Sequence, residues 1–321
     1  MRKPLKIAVA SATFSKCPEL VAEINKYHFD EIRLNTTSSS FSRERLKAVI
    51  SGVSGLIVGR DRIDRSLLSG CRELKVISKF GVGIDNIDIE ACRDSHIKVV
   101  FSSGINKRSV AEQTLYFMIG SIRNLNRAGL LLKKGTWKKD GGRQLTGKTI
   151  GIIGVGNIGK EIISLLKPFD NKIMVNDIIE QSDYYNEQGL IEATKEAIYE
   201  ECDIISLHTP LTELTKNLIH KDVLKRMKKH AFLINTARGP VVNREDLKWA
   251  LKNGIIAGAA VDVYDTEPPA DQEFLELENL ICTPHIAGNA QEAIIAMGRN
   301  AIDNLIGFFN DQQKNGNAHP A

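Results

Sequence analysis

The sequence predicts an α/β protein made of two βα units, each with a parallel sheet. Three observations carry this. Short apolar strands alternate with amphipathic helices along most of the 321 residues, the pattern of parallel sheets covered by helices on both faces. The glycine-rich segment Gly154-Val155-Gly156-Asn157-Ile158-Gly159 stands mid-chain, between an apolar run and a helical pattern. The βα series before it must therefore be a separate unit, and the length suffices for two cores.

The chain opens Met1-Arg2-Lys3-Pro4-Leu5-Lys6-Ile7-Ala8-Val9-Ala10. Its apolar core is too short for a secretory signal and is interrupted by Lys6, so 6–10 reads as a first strand. Further strands are predicted at 31–34, 55–58, 75–79 and 97–101, with helices such as 42–50 and 88–94 between them. Asp85 and Asp88 read as helix caps. Ser38-Ser39-Ser40 is the one low-complexity run. A long helix is predicted over 107–123, followed by a polar, Gly-rich connector at 138–144. The second series has strands at 149–153, 172–176, 203–207, 231–235, 256–261 and 280–283. Asn243 is placed to cap one of its helices. Asp203 reads as a structural hydrogen-bonding partner, and Tyr184-Tyr185 as surface or loop packing. The last helix is predicted over 290–309, with a polar tail, 310–321, expected to fray.

Composition excludes several classes. Net charge is +4, from 43 Lys and Arg against 39 Asp and Glu. The basic residues are scattered, and pairs such as Lys133-Lys134 and Lys138-Lys139 read as solvated helix faces, so no nucleic-acid partner is expected. No apolar run approaches a membrane span. The five cysteines, Cys17, Cys71, Cys92, Cys202 and Cys282, are odd in number and lack C-x-x-C spacing. They read as reduced thiols of a cytoplasmic protein, and no cluster has metal-ligand spacing.

The central glycine segment has the strand–turn–helix–strand–acid layout of a dinucleotide-binding turn. Gly154 permits the tight turn, Gly156 lets the backbone approach a pyrophosphate, and Gly159 lets the helix pack on the strand. The helix N-terminus, at Asn157 and Ile158, presents N–H groups to the anion. Asp177 lies 177 − 156 = 21 residues past the second glycine, where a carboxylate can bind the adenosine ribose. It would repel a 2′-phosphate, and 178–183 contain no Arg or Lys to receive one. The coenzyme expected is NAD.

Three later segments each place an ionisable residue just past a predicted strand, the ligand side of a doubly wound sheet. They are Asn235-Thr236-Ala237-Arg238-Gly239, Asp262-Val263-Tyr264-Asp265-Thr266-Glu267-Pro268 and Thr283-Pro284-His285-Ile286-Ala287-Gly288. Hydride exchange with a carbonyl carbon needs a proton donor at the oxygen, and a histidine can both give and take that proton. A carboxylate beside it fixes its tautomer and favours the imidazolium. An arginine fork can hold a substrate carboxylate. His285, Glu267 and Arg238 supply these three parts.

With Asp177 and His208-Thr209-Pro210, these segments resemble the D-isomer-specific 2-hydroxyacid dehydrogenase family over essentially the whole chain. The resemblance implies a Rossmann-like NAD-binding domain, 104–288, inserted into a flavodoxin-like substrate domain formed by 1–103 and 289–321, with the active site in the cleft between. It implies His285 as general acid/base supported by Glu267, and Arg238 on the substrate carboxylate. Gly81, Val82 and Gly83 would bind that carboxylate through their backbone N–H groups. His208, Thr209 and Pro210 would cover the coenzyme, with Thr236, Ala237 and Gly288 also on the coenzyme side. Asp262 would sit near the nicotinamide carboxamide. The helices after Asn106 would form a homodimer, and Asn106 itself would lie on the substrate side.

The stretches 78–88 and 104–112 most resemble the family's D-3-phosphoglycerate dehydrogenases, enzymes of serine biosynthesis. A phosphate calls for cations, and Lys79, Arg60, Lys107 and Arg108 are the candidates. The chain ends after its closing helix, so serine feedback through a C-terminal regulatory domain is not expected. Ser102-Ser103 and Gln144 depart from the family's usual Thr-Pro and Glu. They leave open glyoxylate/hydroxypyruvate reductase, a D-lactate-type enzyme or another 2-ketoacid reductase. Pro284 before the histidine disfavours formate dehydrogenase. Outside the enzymes, the alternative is an NAD(H)-binding corepressor, disfavoured by the lack of long disordered flanks.

Overall fold

The structure, a computed structural model, describes residues 4–37 and 40–317, with side chains assigned to residue 312. Met1-Arg2-Lys3, Ser38, Ser39 and the last four residues of the predicted tail lie outside the described residues. The chain divides into two units, Met1–Asn106 with Asn289–Ala321, and Lys107–Gly288.

The first unit holds five strands: β1 (Lys6–Val9), β2 (Glu31–Leu34), β3 (Gly55–Val58), β4 (Val76–Lys79) and β5 (Lys98–Val100). All pair in parallel in the order β2-β1-β3-β4-β5, the flavodoxin-like arrangement. The inner strands β3 and β4 are buried at every residue, so β3 reads as an unbroken apolar run, while β4 ends in the buried polar residues Ser78 and Lys79. The closing helix, Gln291–Asn317, puts Ala293, Met297, Ala301 and Leu305 at four-residue spacing into a core with Ile7, Val9, Ile57 and Val76. That stripe places the end of the chain with its beginning. The helix runs on to Asn317 instead of fraying after Phe309. No proline interrupts 310–317, so the backbone ladder continues although the apolar stripe has ended. Asp88, not Asp85, caps the helix Ile89–Asp94, accepting from Ala91 N at 2.8 Å.

The second unit holds seven parallel strands: β6 (Thr149–Ile153), β7 (Lys172–Asn176), β8 (Ile191–Glu192), β9 (Ile204–Leu207), β10 (Phe232–Asn235), β11 (Gly258–Val261) and β12 (Leu280–Cys282). Their order is β12-β11-β10-β9-β6-β7-β8. The winding reverses between β6 and β9, so the crevice for a ligand opens beyond the C-terminal ends of these two strands. Side chains of successive residues go to opposite faces. Ile204 and Ile234 pack on one face with Phe117, Met118 and Ile162. Ile205 and Leu233 pack on the other with Ile198, Leu224 and Leu247. Each such side chain contributes about 1.5–3 kcal/mol on burial.

Three details of this unit differ from the sequence reading. The helix Lys107–Ile122 is followed, after a left-handed Asn124 (φ 53°), by a second helix, Leu125–Lys133. None of its residues is buried, so it gave no core-facing stripe to read. β8 is two exposed residues long. Tyr185 is buried at 2% exposure within the sheet core rather than on the surface. Asp203 has the structural task expected of it, accepting from Thr149 N at 3.0 Å and pairing with His230 at 3.0 Å. Asn243 caps the helix Arg244–Lys252 through Asp246 N. The five cysteines are free thiols. Among the described residues no helix is long and apolar enough to cross a membrane.

Candidate active site

The turn after β6 is built around a left-handed Gly154 (φ 97°) whose N–H donates to Asn176 O. Val155 N donates to Asp177 Oδ2 at 2.5 Å, and Ile179 N donates to Asp177 Oδ1 at 2.9 Å. The carboxylate at the end of β7 therefore braces the glycine turn from below. Gly156 caps the helix Asn157–Leu166, and no side chain caps its first N–H groups. Gly156 and Asn157 are exposed, whereas Gly159 is buried.

Beyond β9, His208 bonds through Nε2 to Ser206 Oγ at 2.9 Å. Its Nδ1 and Thr209 Oγ1 are buried without a partner. The His208 carbonyl lies close against Gly154, 2.6 Å from where a Cβ would stand. Burial pushes the His208 imidazole down to about 3, so the ring is neutral and does not titrate near pH 7. An uncapped helix end, open space over Gly156 and two orphaned polar atoms nearby fit a coenzyme carrying phosphates and hydroxyls.

Past β10, Asn235 shapes the next loop. Its Oδ1 accepts from Ala237 N at 3.1 Å and its Nδ2 donates to Arg238 O at 2.9 Å. Thr236 is buried and shares a 3.0 Å hydroxyl contact with Thr114. Arg238 donates through Nη1 to Ala237 O at 2.8 Å.

Past β11 lies Asp262, expected beside the nicotinamide. Within its own unit it has a structural task. It is 1% exposed, and its Oδ1 accepts from Thr283 Oγ1 (2.5 Å), Ile286 N (2.9 Å) and Gln113 Nε2 (3.0 Å). Its Oδ2 accepts from Ala287 N at 2.8 Å. These four donors use the acceptor capacity of a carboxylate. Asp262 thus anchors the loop that carries His285, and Ser109 adds a bond to Ala287 O at 2.6 Å.

His285 Nδ1 lies 2.8 and 2.9 Å from the two Glu267 oxygens. His285 is left-handed (φ 54°), a conformation uncommon outside glycine, and both side chains remain partly accessible. With Nδ1 turned to the carboxylate, the orientation of the ring is fixed through that nitrogen. Gln113, Asn235, Ser206 and Tyr264 (below) were not singled out from the sequence. Gln113 and the Tyr264 hydroxyl bond to distant segments, which no local spacing reveals, whereas Asn235 and Ser206 bond two or three residues along their own loops.

In the first unit, Gly81, Val82 and Gly83 follow β4. Of the cations nominated for a phosphate, Lys79 is buried and donates to Gly59 O (2.5 Å) and Asn86 Oδ1 (2.7 Å). In the second unit, Lys107 pairs with Glu161 at 3.1 Å, and Arg108 with Glu112 and Glu161 at 2.7 and 3.2 Å. Arg60 is exposed.

The family model for the NAD binding domain of D-isomer specific 2-hydroxyacid dehydrogenases matches residues 115–287. The chain belongs to this family. It is 39% identical over 274 residues to the glyoxylate reductase of Thermofilum pendens, covering 83% of this chain and 81% of that one. It is 35% identical over 274 residues to the D-3-phosphoglycerate dehydrogenase of Methanocaldococcus jannaschii, covering 84% of this chain and 52% of the relative. Among solved structures, D-lactate dehydrogenase from Aquifex aeolicus, complexed with NAD and lactic acid, superposes with a TM-score of 0.82 at 27% identity. The match covers 98% of this chain and all (100%) of that one. This 2-hydroxyacid dehydrogenase is an NAD-dependent oxidoreductase acting on hydroxy and keto acids.

Proposed function

We propose that the enzyme interconverts a D-2-hydroxyacid and its 2-ketoacid with His285 as the proton-exchanging group. The observation that carries this is the 2.8 Å contact of His285 Nδ1 with Glu267. NAD, when bound, takes or supplies the hydride. Everything else is done by the chain. Glu267 holds the Nδ1–H tautomer and orients the ring. His285 gives its proton to the carbonyl oxygen during reduction and removes one from the hydroxyl during oxidation. Arg238 holds the substrate carboxylate with a guanidinium fork; Gly81, Val82 and Gly83 of the first unit are the backbone donors of the same reading. Asn106 lies on the substrate side in this reading. Gly154, Gly156, Asn157, Ile158 and Gly159 bind the pyrophosphate. His208, Thr209, Pro210, Thr236, Ala237 and Gly288 border the coenzyme. A homodimer belongs to the same reading, because Leu125, Leu130, Leu132 and Trp137 expose 47, 59, 56 and 77% of their surface after the first helix of this unit. Such a cluster is costly to leave in water.

Asp177 keeps acceptor capacity beyond its two backbone bonds and serves the adenosine ribose. Asp177→Ala is expected to weaken NADH binding and to narrow the preference over NADPH at least tenfold. Coenzyme titrations that leave the preference unchanged would remove this role.

The first substrate pair in this reading is D-3-phosphoglycerate and 3-phosphohydroxypyruvate, supported by the character of 78–88 and 104–112. One observation favours an unphosphorylated acid instead. Lys79, Lys107 and Arg108 already have partners in their own units. The exposed pairs break at little cost, but the buried Lys79 does not. The deciding experiment is NADH oxidation with 3-phosphohydroxypyruvate, hydroxypyruvate, glyoxylate and pyruvate. A kcat/KM dominated by the phosphorylated acid supports the first reading. Dominance of glyoxylate or hydroxypyruvate replaces it with a glyoxylate/hydroxypyruvate reductase.

A further inference from the structure

Between Asp262 and Glu267 stands Tyr264, a residue to which the reading above gives no part. Its backbone N–H donates to Glu267 Oε1 at 3.3 Å, and its hydroxyl donates to Thr283 O at 2.9 Å. The Thr283 carbonyl also accepts from His285 N at 3.0 Å, closing the tight turn in which His285 is left-handed. One residue therefore touches Glu267 through its main chain and the His285 turn through its side chain. The loop carrying Arg238 runs against it as well. A Cβ on Gly239 would stand 2.0 Å from the Tyr264 carbonyl carbon, so the two backbones are in direct contact.

We propose that Tyr264 is a positioning residue that sets His285 against Glu267, its hydroxyl orienting the Thr283 carbonyl that closes the His285 turn. The His285 loop is pinned on its other side by Asp262, through Thr283 Oγ1, Ile286 N and Ala287 N. Those bonds hold the root and exit of the loop, but none of them reaches the Thr283 carbonyl. A left-handed non-glycine residue persists only where its surroundings hold it. Without the phenol, this carbonyl keeps only the His285 N–H, and the turn that aims the imidazole loosens. Burial raises the Tyr264 phenol above its ordinary range, so the group is a neutral donor at every working pH.

The inference rests on the reading of His285 as the proton-exchanging group, and the test separates the two. Tyr264→Phe keeps the ring and the backbone donor to Glu267 and removes only the hydroxyl. Its expected effects are a roughly three- to tenfold loss of kcat, little change in ketoacid KM and unchanged NADH affinity. The downfield proton resonance of His285 Nδ1–H, assigned by its absence in His285→Ala, should move upfield as the bond to Glu267 loosens. That resonance needs no turnover. If it moves while His285→Ala remains active, Tyr264 positions the histidine and the catalytic reading fails. If His285→Ala is inactive but Tyr264→Phe has wild-type kcat and an unmoved resonance, the positioning role is overturned and the catalytic reading stands.

Discussion

Replacing His285 with alanine should lower kcat by about 10²–10⁴-fold, the range for losing a positioned acid/base group, while NADH affinity stays nearly intact. The selectivity follows from geometry. His285 sits past β12 with Nδ1 on Glu267, whereas the coenzyme turn lies past β6 and is braced by Asp177. The His285 loop is anchored by backbone groups of Ile286 and Ala287 on Asp262, so truncating the imidazole leaves the loop in place. His208, past β9 in the same unit, cannot take over. Its burial keeps it neutral, and its Nε2 is spent on Ser206. Ketoacid reduction measured at saturating NADH, beside a fluorescence titration of NADH, reads both quantities. Near wild-type turnover would take His285 out of the mechanism.

Much of this site was legible because its parts follow strands. Fully buried strands leave apolar runs, and the residue after such a run lies at the ligand edge of the sheet. The candidates Arg238, Glu267 and His285 are nominated in that way, as is Asp177 at the end of β7. What the sequence did not disclose is the framework behind them. Gln113 reaches Asp262 and Thr283 from a helix 149 and 170 residues away in the chain, and Tyr264 reaches Thr283 from a neighbouring strand end. Such bonds depend on sheet order, which hydrophobic periodicity does not encode. The same limit explains Asp262. Its position beyond β11 suggested a ligand contact, but its four internal donors are visible only once the loops are assembled. Lys79 stands likewise at a strand end, and its partners Gly59 and Asn86 come from turns whose meeting no motif announces.

The glycines of the turn offer the second large effect, because two of them should fail for opposite reasons. A Cβ on Gly156 would meet nothing within 4 Å, whereas a Cβ on Gly159 would stand 2.2 Å from the Gly154 carbonyl oxygen. The backbone of Gly156 is extended (φ −79°, ψ −156°) and open to alanine. Gly156→Ala should therefore fold with a melting temperature within about 4 °C of the wild type, since replacing a good N-cap by alanine costs about 1 kcal/mol. Its added methyl fills the space where the pyrophosphate approaches the helix end, and NADH affinity should fall at least tenfold. Gly159→Ala must instead push the helix away from the turn. Overpacking of this kind costs about 1–3 kcal/mol, which lowers the melting temperature by roughly 2–10 °C and disturbs the coenzyme turn with it. Calorimetry and NADH titration of the two variants separate a ligand-facing glycine from a packing glycine. If Gly156→Ala bound NADH normally, the pyrophosphate would not lie over this helix end. If Gly159→Ala melted like the wild type, the close approach to Gly154 would not be what requires glycine there.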